Sequence, residues 1–449
     1  MTLPLRLRIP YAVSAFASRE TAAPDPRAAN ANRGVWRFLL LLAQLGLLAL
    51  LFRVFVLEEP TFALLTRLAF GGFAVHYWLP FRYKEPFWIG LSMAGSFVLL
   101  DPVVAALLVG SGLVFFAVLR SGLSYRVRVS IVVAAFAAIM ASYGSGGLHL
   151  PSGFRVMFGS LFMFRMMIYL YDLRHNAGPP NLSGYLSYFF PLPNFYFILF
   201  PVIDYQTMRR SYFQRDIHEV AQQGIRWIAR GAVHLILYRL VYHYKDSRIP
   251  DNVTSFESLI GYMVLTYLLY LRVSGHFHII IGMMHLFGYQ LPETHRGYLL
   301  ASSLTDFWRR INIYWKDFMV KLVYFPVYFK LRRSGDVRAQ VVATSAVFLA
   351  TWALHSYQYF WLKGEFLFTW PDSLFWGILG LLVIINLLYE TKKKRRKPGL
   401  SSWGGKVRHA FSVMGTFALI VTLWSLWQSP SVDAWIDLLT WWAPKPSNI

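Results

Sequence analysis

The chain has 449 residues, of which 56% are hydrophobic, 18% are aromatic and only 15% are charged. This composition excludes an ordinary soluble domain, which would carry more charge and fewer aromatic rings. The absence of cysteine excludes disulfides and thiolate chemistry. The formal net charge of +22 comes from basic residues in short loops beside apolar runs. That is the positive-inside pattern of a membrane protein and not the footprint of a nucleic-acid-binding protein, so anionic lipid headgroups are the expected partners of these loops.

The N-terminal residues, 1–34, are rich in alanine, arginine and proline, and they lack the apolar core and cleavage site of a signal peptide. We predict a flexible cytoplasmic arm here, followed by a single membrane domain over residues 35–449. The first predicted span runs from Trp36 to Leu57. Arginines precede this span and acids follow it, which places the N-terminus inside the cell.

The next apolar runs predict five more spans. One run, Phe87 to Leu119, is too long for a single crossing, and the Asp101-Pro102 pair divides it into two. The other three spans are predicted at Thr61 to Leu79, Val129 to Tyr143 and Phe154 to Tyr171.

The stretch "YLSYFFPLPNFYFILFPVIDY" is apolar but contains Pro191, Pro193 and Pro201. It cannot form one straight helix, because proline lacks the backbone N–H and clashes with the preceding turn. Irregular backbone at membrane depth is tolerated only where it is buried in protein or lines a wet cavity. We therefore predict a re-entrant or kinked element.

The second half of the chain adds an amphipathic segment, several apolar segments and three clear final spans. "KKKRRK", Lys392 to Lys397, lies between the last two spans and predicts a cytoplasmic loop, so that the C-terminus lies outside, after an interfacial "DAWIDLLTWW" helix. The fold class is all-α, a polytopic helical membrane protein with roughly ten or more spans. The segments are Phe213 to Arg230, Gly231 to Tyr244, Ser255 to Arg272, Phe277 to Leu291, Val341 to Trp361, Leu374 to Tyr389 and Val407 to Trp427.

The segment "SLTDFWRRINIYWKDFMVKLVYF" mixes tryptophans with cations. On one continuous helix, Trp308, Asn312, Trp315 and Met319 would share a face. The same helix would place Asp306 beside Arg310 and Asp317 beside Lys321. Such a helix suits the membrane surface, and Asn312 would then have no function. Alternatively, the helix lines a functional site, and Asn312 would then take part in it.

A histidine, His355, stands inside the predicted span Val341 to Trp361. Ionisable side chains at membrane depth face a bundle interior or a cavity, and histidine is the side chain best able to accept a proton near neutral pH. The alternative is a histidine that only hydrogen-bonds one helix to another.

The other histidines do not predict a metal site. His276 and His278 point to different faces of a helix, and His285 adds no carboxylate or cysteine. His218 and Glu219 lack a second histidine at metal-binding spacing.

Two stretches carry a family resemblance: "GMMHLFGYQLPETHRGYLLASSLTDFWRRINIYWKDF" and the later "TWALHSYQYFW". They resemble the membrane-bound O-acyltransferase superfamily, and most closely the bacterial branch of alginate O-acetyltransferases and D-alanyl transfer proteins of teichoic acid. "DFWRR" is intact at Asp306 to Arg310, and "WALH" stands where the branch has "GLWH". "FPVIDYQTM" also resembles that branch's "FPxLxAGPIxRY". The resemblance covers residues 200–361.

The chain departs from the branch at two positions. Asn312 replaces the branch's usual histidine, and Asp204 lies where the branch has "AGPI". The resemblance implies His355 as general base and Asn312 as a donor to the oxyanion, around a central tunnel. It also suggests substrate contacts for Trp308, Trp315, Asp306, Arg309, Arg310, Trp352 and Asp204.

The resemblance implies an enzyme of the bacterial inner membrane with no tightly bound cofactor and no metal. The donor would be an acyl-CoA or acyl-carrier-protein thioester, and the acceptor a hydroxyl group on a polysaccharide, a lipid or a similar molecule. An acyl carrier protein or a periplasmic acyl-relay protein would be its partner. Two other functions stay open: a transporter or flippase that uses His355 and Asp204 along its pathway, and a catalytically silent assembly partner.

Overall fold

The computed structural model describes residues 34–144, 150–175, 181–246, 250–392 and 402–442. The predictions for the N-terminal arm, for most of "KKKRRK" and for the last seven residues lie outside these ranges. All named secondary structure in the described residues is helical, apart from an isolated antiparallel bridge between Tyr212 and Tyr289.

The first half of the chain forms six long helices, then two short ones around the proline-rich stretch, and then three long ones. They are α1 Val35–Val54, α2 Pro60–Trp78, α3 Phe81–Leu99, α4 Pro102–Arg120, α5 Tyr125–Gly144, α6 Phe154–His175, α7 Leu182–Phe189, α8 Tyr205–Arg210, α9 Ile217–Asp246, α10 Phe256–Leu268 and α11 Leu271–Leu286.

The second half begins with short helices and ends with three long ones and a short amphipathic one. They are α12 Leu304–Arg310, α13 Ile313–Met319, a π-helical turn Val320–Tyr324, α14 Phe325–Leu331, α15 Asp336–Lys363, α16 Trp370–Lys392, α17 Trp403–Trp427 and α18 Val432–Leu439.

Eight helical segments in the described residues are long and apolar enough to cross a membrane, which confirms an all-α polytopic membrane protein. They are α1, α4, α5, α6, α10 with α11, α15, α16 and α17. The predicted division at Asp101-Pro102 is also confirmed. Pro102 opens α4, and the Asp101 carboxylate accepts hydrogen bonds from the backbone N–H groups of Val103 and Val104. The larger predicted number of spans remains a prediction.

The proline-rich stretch is broken, as predicted. Helix α7 ends at Phe189, a 3-10 turn spans Leu192–Phe195, and irregular backbone leads to α8. Arg165 of α6 satisfies this backbone. Its guanidinium donates to the carbonyls of Tyr188 at 3.2 Å and Phe189 at 3.0 Å, and to the side-chain oxygen of Asn194 at 2.5 Å. A buried arginine thus replaces the helical hydrogen bonds that the prolines remove.

Helices α9 and α11 pack with their backbones in close contact. A Cβ atom on Gly282 would lie 2.5 Å from the carbonyl oxygen of Gly224, and one on Gly231 would lie 2.7 Å from that of Gly275. Within each helix the two glycines are seven residues apart, so they repeat on one face. Small residues at such crossings let membrane helices approach closely and gain van der Waals contact.

Glu58, in the loop between α1 and α2, links that loop to α11 and to the proline-rich stretch. Its carboxylate lies 2.7 Å from His276 Nε2 and 3.1 Å from Arg272, and it accepts a hydrogen bond from the Tyr196 hydroxyl at 3.1 Å. Burial raises the pKa of the Glu58 carboxyl, but His276 and Arg272 outweigh burial and lower this pKa to about 2.

The predicted continuous helix over Ser303 to Phe325 is wrong. The chain turns between α12 and α13, where Asn312 adopts the left-handed conformation with φ +38°. The membrane-surface alternative is also wrong, because Trp308 and Trp315 are only 6% and 8% exposed. A contact with the segment before α12 explains the break, since Ile313 N–H donates to the Thr294 carbonyl at 2.7 Å instead of continuing the helix.

One predicted ion pair near this break forms and the other does not. Arg310 contacts Asp306 at 2.8 Å, as predicted. Lys321 instead contacts Asp172 of α6 at 2.5 Å and Asp204 at 3.6 Å, while Asp317 contacts Lys316. The π-helical turn begins at Val320, so the Asp317–Lys321 spacing no longer follows a regular α-helix.

Candidate active site

A cavity of about 420 Å³ lies where the broken elements meet the long helices. Helices α6, α12, α13, α15, α16 and α17 line it, together with the proline-rich stretch and the junction of α10 with α11. Most of its wall is aromatic or aliphatic. The charged or polar side chains in the wall, tyrosine and tryptophan apart, are those of Ser160, Arg165, Thr266, Asn312, Lys316, His355, Gln358 and Gln428.

His355 lines this cavity from α15. Its Nδ1 lies 2.9 Å from the backbone carbonyl oxygen of Thr351, one turn earlier in the helix. A carbonyl oxygen can only accept, so in the neutral ring Nδ1 carries the proton and Nε2 carries the free lone pair. Nε2 is therefore the nitrogen able to take a proton from a molecule in the cavity.

Three indole rings surround the His355 imidazole. The centroids of these rings lie 4.7 Å from the imidazole for Trp376, 5.2 Å for Trp315 and 6.2 Å for Trp427. Each ring comes from a different helix: α16, α13 and α17. The imidazole is therefore held by one backbone hydrogen bond and by aromatic packing.

Asn312 lines the same cavity and opens α13 as its N-cap. Asparagine tolerates the left-handed conformation better than most residues, so it can occupy this turn. Its Oδ1 accepts a hydrogen bond from the backbone N–H of Trp315 at 3.3 Å. The side-chain NH₂ then remains as the group that can donate to a ligand. One amide thus shapes the turn and supplies a donor to the cavity.

Trp308 and Trp315 also line the cavity, although not from one continuous helix face. Trp308 packs on Phe348 with ring centroids 4.8 Å apart. In the described part of the chain, the buried indole N–H groups of Trp308 and Trp315 have no hydrogen-bond partner. Buried indole N–H groups usually find one, so both are candidate donors to a bound molecule.

The protein provides a histidine with a free ring nitrogen and several N–H donors around one mainly apolar cavity. Such a set can deprotonate a hydroxyl and stabilise the oxyanion that forms when that hydroxyl attacks a carbonyl. Two cations, Arg165 and Lys316, belong to the lining, which includes no carboxylate from the described residues.

A search of curated proteins finds a similarity to a protein described as "Probable alginate O-acetylase AlgI" from Pseudomonas putida. The two chains are 24% identical over 233 residues, which is 51% of this chain and 46% of that protein. The chain thus matches about half the length of this curated relative. No protein-family model matches the chain.

Five of the predicted substrate-binding residues lie outside the cavity lining. Asp306 and Arg310 form their ion pair, and Asp306 also accepts from the backbone N–H of Ser302 at 3.1 Å. Arg309 is half-buried on the same short helix. The Asp306–Arg310 ion pair and the bond from Ser302 stabilise the short helix that carries Trp308. Contact of these three predicted residues with substrate remains a prediction.

Trp352 and Asp204 are the other two predicted substrate-binding residues that lie outside the cavity lining. Trp352 lines a separate groove between α15 and α16 and packs on Phe368. Asp204 is the N-cap of α8, where it accepts from the backbone N–H and the hydroxyl of Thr207, and it also faces Lys321. A structural role accounts for these contacts, and a substrate role for either residue remains a prediction.

Sequence reasoning missed Arg165, Tyr270, Trp376 and Trp427 in the cavity wall. Arg165 could have been found, because an arginine in the middle of the predicted span Phe154 to Tyr171 is a functional or structural signal in itself. The tryptophans carried no such signal, since aromatic residues are frequent throughout these spans. Within the described ranges, no group of three or more His, Cys, Asp or Glu side chains is arranged to hold a metal ion.

Proposed function

We propose that this protein is a membrane-bound O-acyltransferase that moves an acyl group from a thioester to a hydroxyl acceptor. One observation supports this most directly. His355, whose Nδ1–H donates to a backbone carbonyl, and Asn312, whose NH₂ is free to donate, line the same cavity. The similarity to an alginate O-acetylase supports the same chemistry.

In the proposed reaction, Nε2 of His355 takes the proton of the acceptor hydroxyl as that oxygen attacks the thioester carbonyl carbon. The carbonyl oxygen becomes an oxyanion, which Asn312 stabilises by hydrogen bonding. The carbon–sulfur bond then breaks, and the imidazolium returns the proton to the departing thiolate. An ester and a free thiol result, and His355 is restored. Exclusion of water from the cavity protects the thioester from hydrolysis.

The donor is an acyl-CoA or an acyl-carrier-protein thioester that reaches the cavity from the cytoplasmic side of the bacterial inner membrane. Nothing in this reaction requires a tightly bound cofactor. The acceptor is a hydroxyl group on a polysaccharide, a lipid or a similar molecule. Arg165 and Lys316 in the wall already have protein partners, the proline-rich stretch for Arg165 and Asp317 for Lys316.

The absence of cysteine makes the test direct, because the protein contributes no thiol of its own. Purified protein in lipid nanodiscs would be supplied with acetyl-CoA or a long-chain acyl-CoA, and the released CoA would be measured with a thiol reagent. Candidate hydroxyl acceptors would be added one at a time. We expect thiol release that increases with the right acceptor. Folded protein that consumes neither these thioesters nor acyl-carrier-protein thioesters, whatever the acceptor, would contradict the proposal and favour a transporter or a silent assembly partner.

A further inference from the structure

Asp372 is a buried carboxylate beside the cavity for which the proposed reaction gives no role. It lies in the first turn of α16 and is only 2% exposed. No ion pair of Asp372 occurs in the described residues. A buried carboxylate without a cation is costly in any protein, and more so in a membrane-spanning helix. Its position near the N-terminus of α16 offsets part of that cost, because the helix dipole favours a negative charge there.

The carboxylate is surrounded by indoles. Oδ1 accepts a hydrogen bond from Trp427 Nε1 at 2.8 Å, and the side chains of Trp352 and Trp376 lie beside the same carboxyl group. Trp427 is also stacked on Phe375 with ring centroids 4.7 Å apart and an interplanar angle of 6°. A carboxyl oxygen accepts this bond in either protonation state of the group. Asp372 therefore fixes the orientation of the Trp427 ring.

Two of the indoles that meet Asp372 also contact His355. Trp376 and Trp427 both pack on the imidazole, and they pack on each other with ring centroids 5.7 Å apart. The single hydrogen bond from Nδ1 to Thr351 restrains the ring at one atom and leaves its tilt to the packing around it. A change in the Trp427 ring would therefore change the direction in which Nε2 points.

We propose that Asp372 is a positioning residue that acts on His355 through Trp427 and Trp376. This inference rests on the proposed role of His355 as the base. Proton transfer and attack require the reacting atoms to be aligned at close range, and a displacement of about 1 Å can cost roughly 10²-fold in rate. Asp372 itself is not part of the cavity lining and takes no proton in the reaction.

The test compares two substitutions at one position. Asp372→Ala removes the acceptor of the Trp427 N–H, and we expect kcat to fall by about 10²-fold with the KM for the thioester unchanged. Asp372→Asn keeps an oxygen acceptor, and we expect it to restore kcat to within about tenfold of the unmodified protein. A purely structural role would alter expression, apparent Tm or KM without this difference between Ala and Asn. Equal kcat values for Asp372→Ala and the unmodified protein, or equal losses in both variants, would overturn the inference.

Trp427→Phe tests the Asp372–Trp427 hydrogen bond from the tryptophan side, because phenylalanine keeps an aromatic ring but lacks the N–H. Combined with Asp372→Ala, it should cost no more than the larger single effect, since both changes break one interaction. Trp435→Phe is the matched control. It also loses an indole hydrogen bond, to Ser425 Oγ at 3.0 Å, but its ring does not contact His355, and we expect unchanged kcat. If the losses of kcat from Asp372→Ala and Trp427→Phe are fully additive, Asp372 does not act on His355 through Trp427.

The unmodified protein separates this inference from the proposed function. If it shows no acyl transfer with any thioester, the proposed function fails and Asp372 loses its stated role with it. If it is active and His355→Ala is inactive while Asp372→Ala is fully active, only the inference about Asp372 fails.

Discussion

Asn312 combines two tasks that the sequence did not separate. The helical pattern of the sequence predicted that Asn312 shares a helix face with Trp308 and Trp315. In the structure Asn312 instead has a left-handed backbone and is the N-cap of α13. Its Oδ1 caps helix α13 by accepting from Trp315 N–H, and its NH₂ can donate a hydrogen bond to a substrate. Substitution by alanine would disturb both, so it cannot distinguish a structural role from a catalytic one.

Asn312→Asp separates the two tasks, because aspartate tolerates the same backbone and can accept from Trp315 N–H but cannot donate. We expect turnover to fall by about 10²–10³-fold, the effect of losing one oxyanion donor, with the apparent Tm nearly unchanged. The matched control is Asn181→Asp, which changes the N-cap of α7, where Asn181 Oδ1 accepts from the Gly184 N–H at 2.6 Å. Steady-state acyl transfer by both variants is the measurement. Wild-type rates for Asn312→Asp would reduce Asn312 to a capping residue.

The sequence identified His355 because an imidazole inside an apolar span is unusual. It could not identify the environment of that imidazole. Trp376 and Trp427 are distant in sequence and meet His355 only through the packing of α15, α16 and α17. Asp372 was missed for the same reason, since its partner Trp427 is 55 residues away.

The helices show which local signals are sufficient to place a break. Proline predicted the break between α3 and α4 and the irregular stretch after α7. Proline has no backbone N–H, so it removes a helical hydrogen bond wherever it occurs inside a helix. The break at Asn312 carries neither proline nor glycine, and it depends on contacts with the chain around Thr294. Tertiary contacts of this kind override a helical pattern and cannot be read from a local window.

The crossing of α9 and α11 gives a prediction about stability. Gly282→Ala would place a methyl group 2.5 Å from the Gly224 carbonyl oxygen, so the two helices would have to separate. We expect a loss of about 1–3 kcal/mol in the free energy of unfolding, the usual cost of overpacking. Thermal unfolding in detergent would report it as a lower apparent Tm.

Gly415→Ala in α17 is the control for this crossing, because a Cβ atom there meets nothing within 4 Å. We expect its apparent Tm to stay close to that of the unmodified protein, or to rise slightly, since alanine favours a helix over glycine. A Gly282→Ala protein as stable as Gly415→Ala would show that the two helix backbones do not pack as closely as described.

For the protein overall, composition was enough to predict an all-α polytopic membrane protein, and eight helical segments among the described residues have the length and composition to cross a membrane. The orientation of the chain rests on loop charges alone. The single-domain assignment and the cytoplasmic arm remain predictions, and residues 1–33 lie outside the described ranges. The central tunnel also remains a prediction.

Orientation can be tested by labelling single engineered cysteines, because the native chain has none. Trp403 and Trp442 suit this purpose, since they are 80% and 67% exposed and flank α17 and α18. Trp403→Cys, next to the "KKKRRK" loop, should react only with a reagent that reaches the cytoplasm. Trp442→Cys should react with an impermeant reagent added outside. The opposite result would reverse the orientation and, with it, the side from which the thioester enters.

If the His355 ring is the general base, acyl transfer by His355→Gln should be nearly lost. Glutamine keeps a polar side chain of similar reach but cannot take the proton, so kcat should fall by about 10²–10⁴-fold while the protein remains folded and inserted. His285→Gln is the matched control. His285 is buried in α11 with the same bond from Nδ1 to the carbonyl four residues earlier, at 2.8 Å, but it does not line the cavity. We expect near-normal turnover for His285→Gln and background thiol release for His355→Gln. Normal turnover by His355→Gln would show that His355 is not the base.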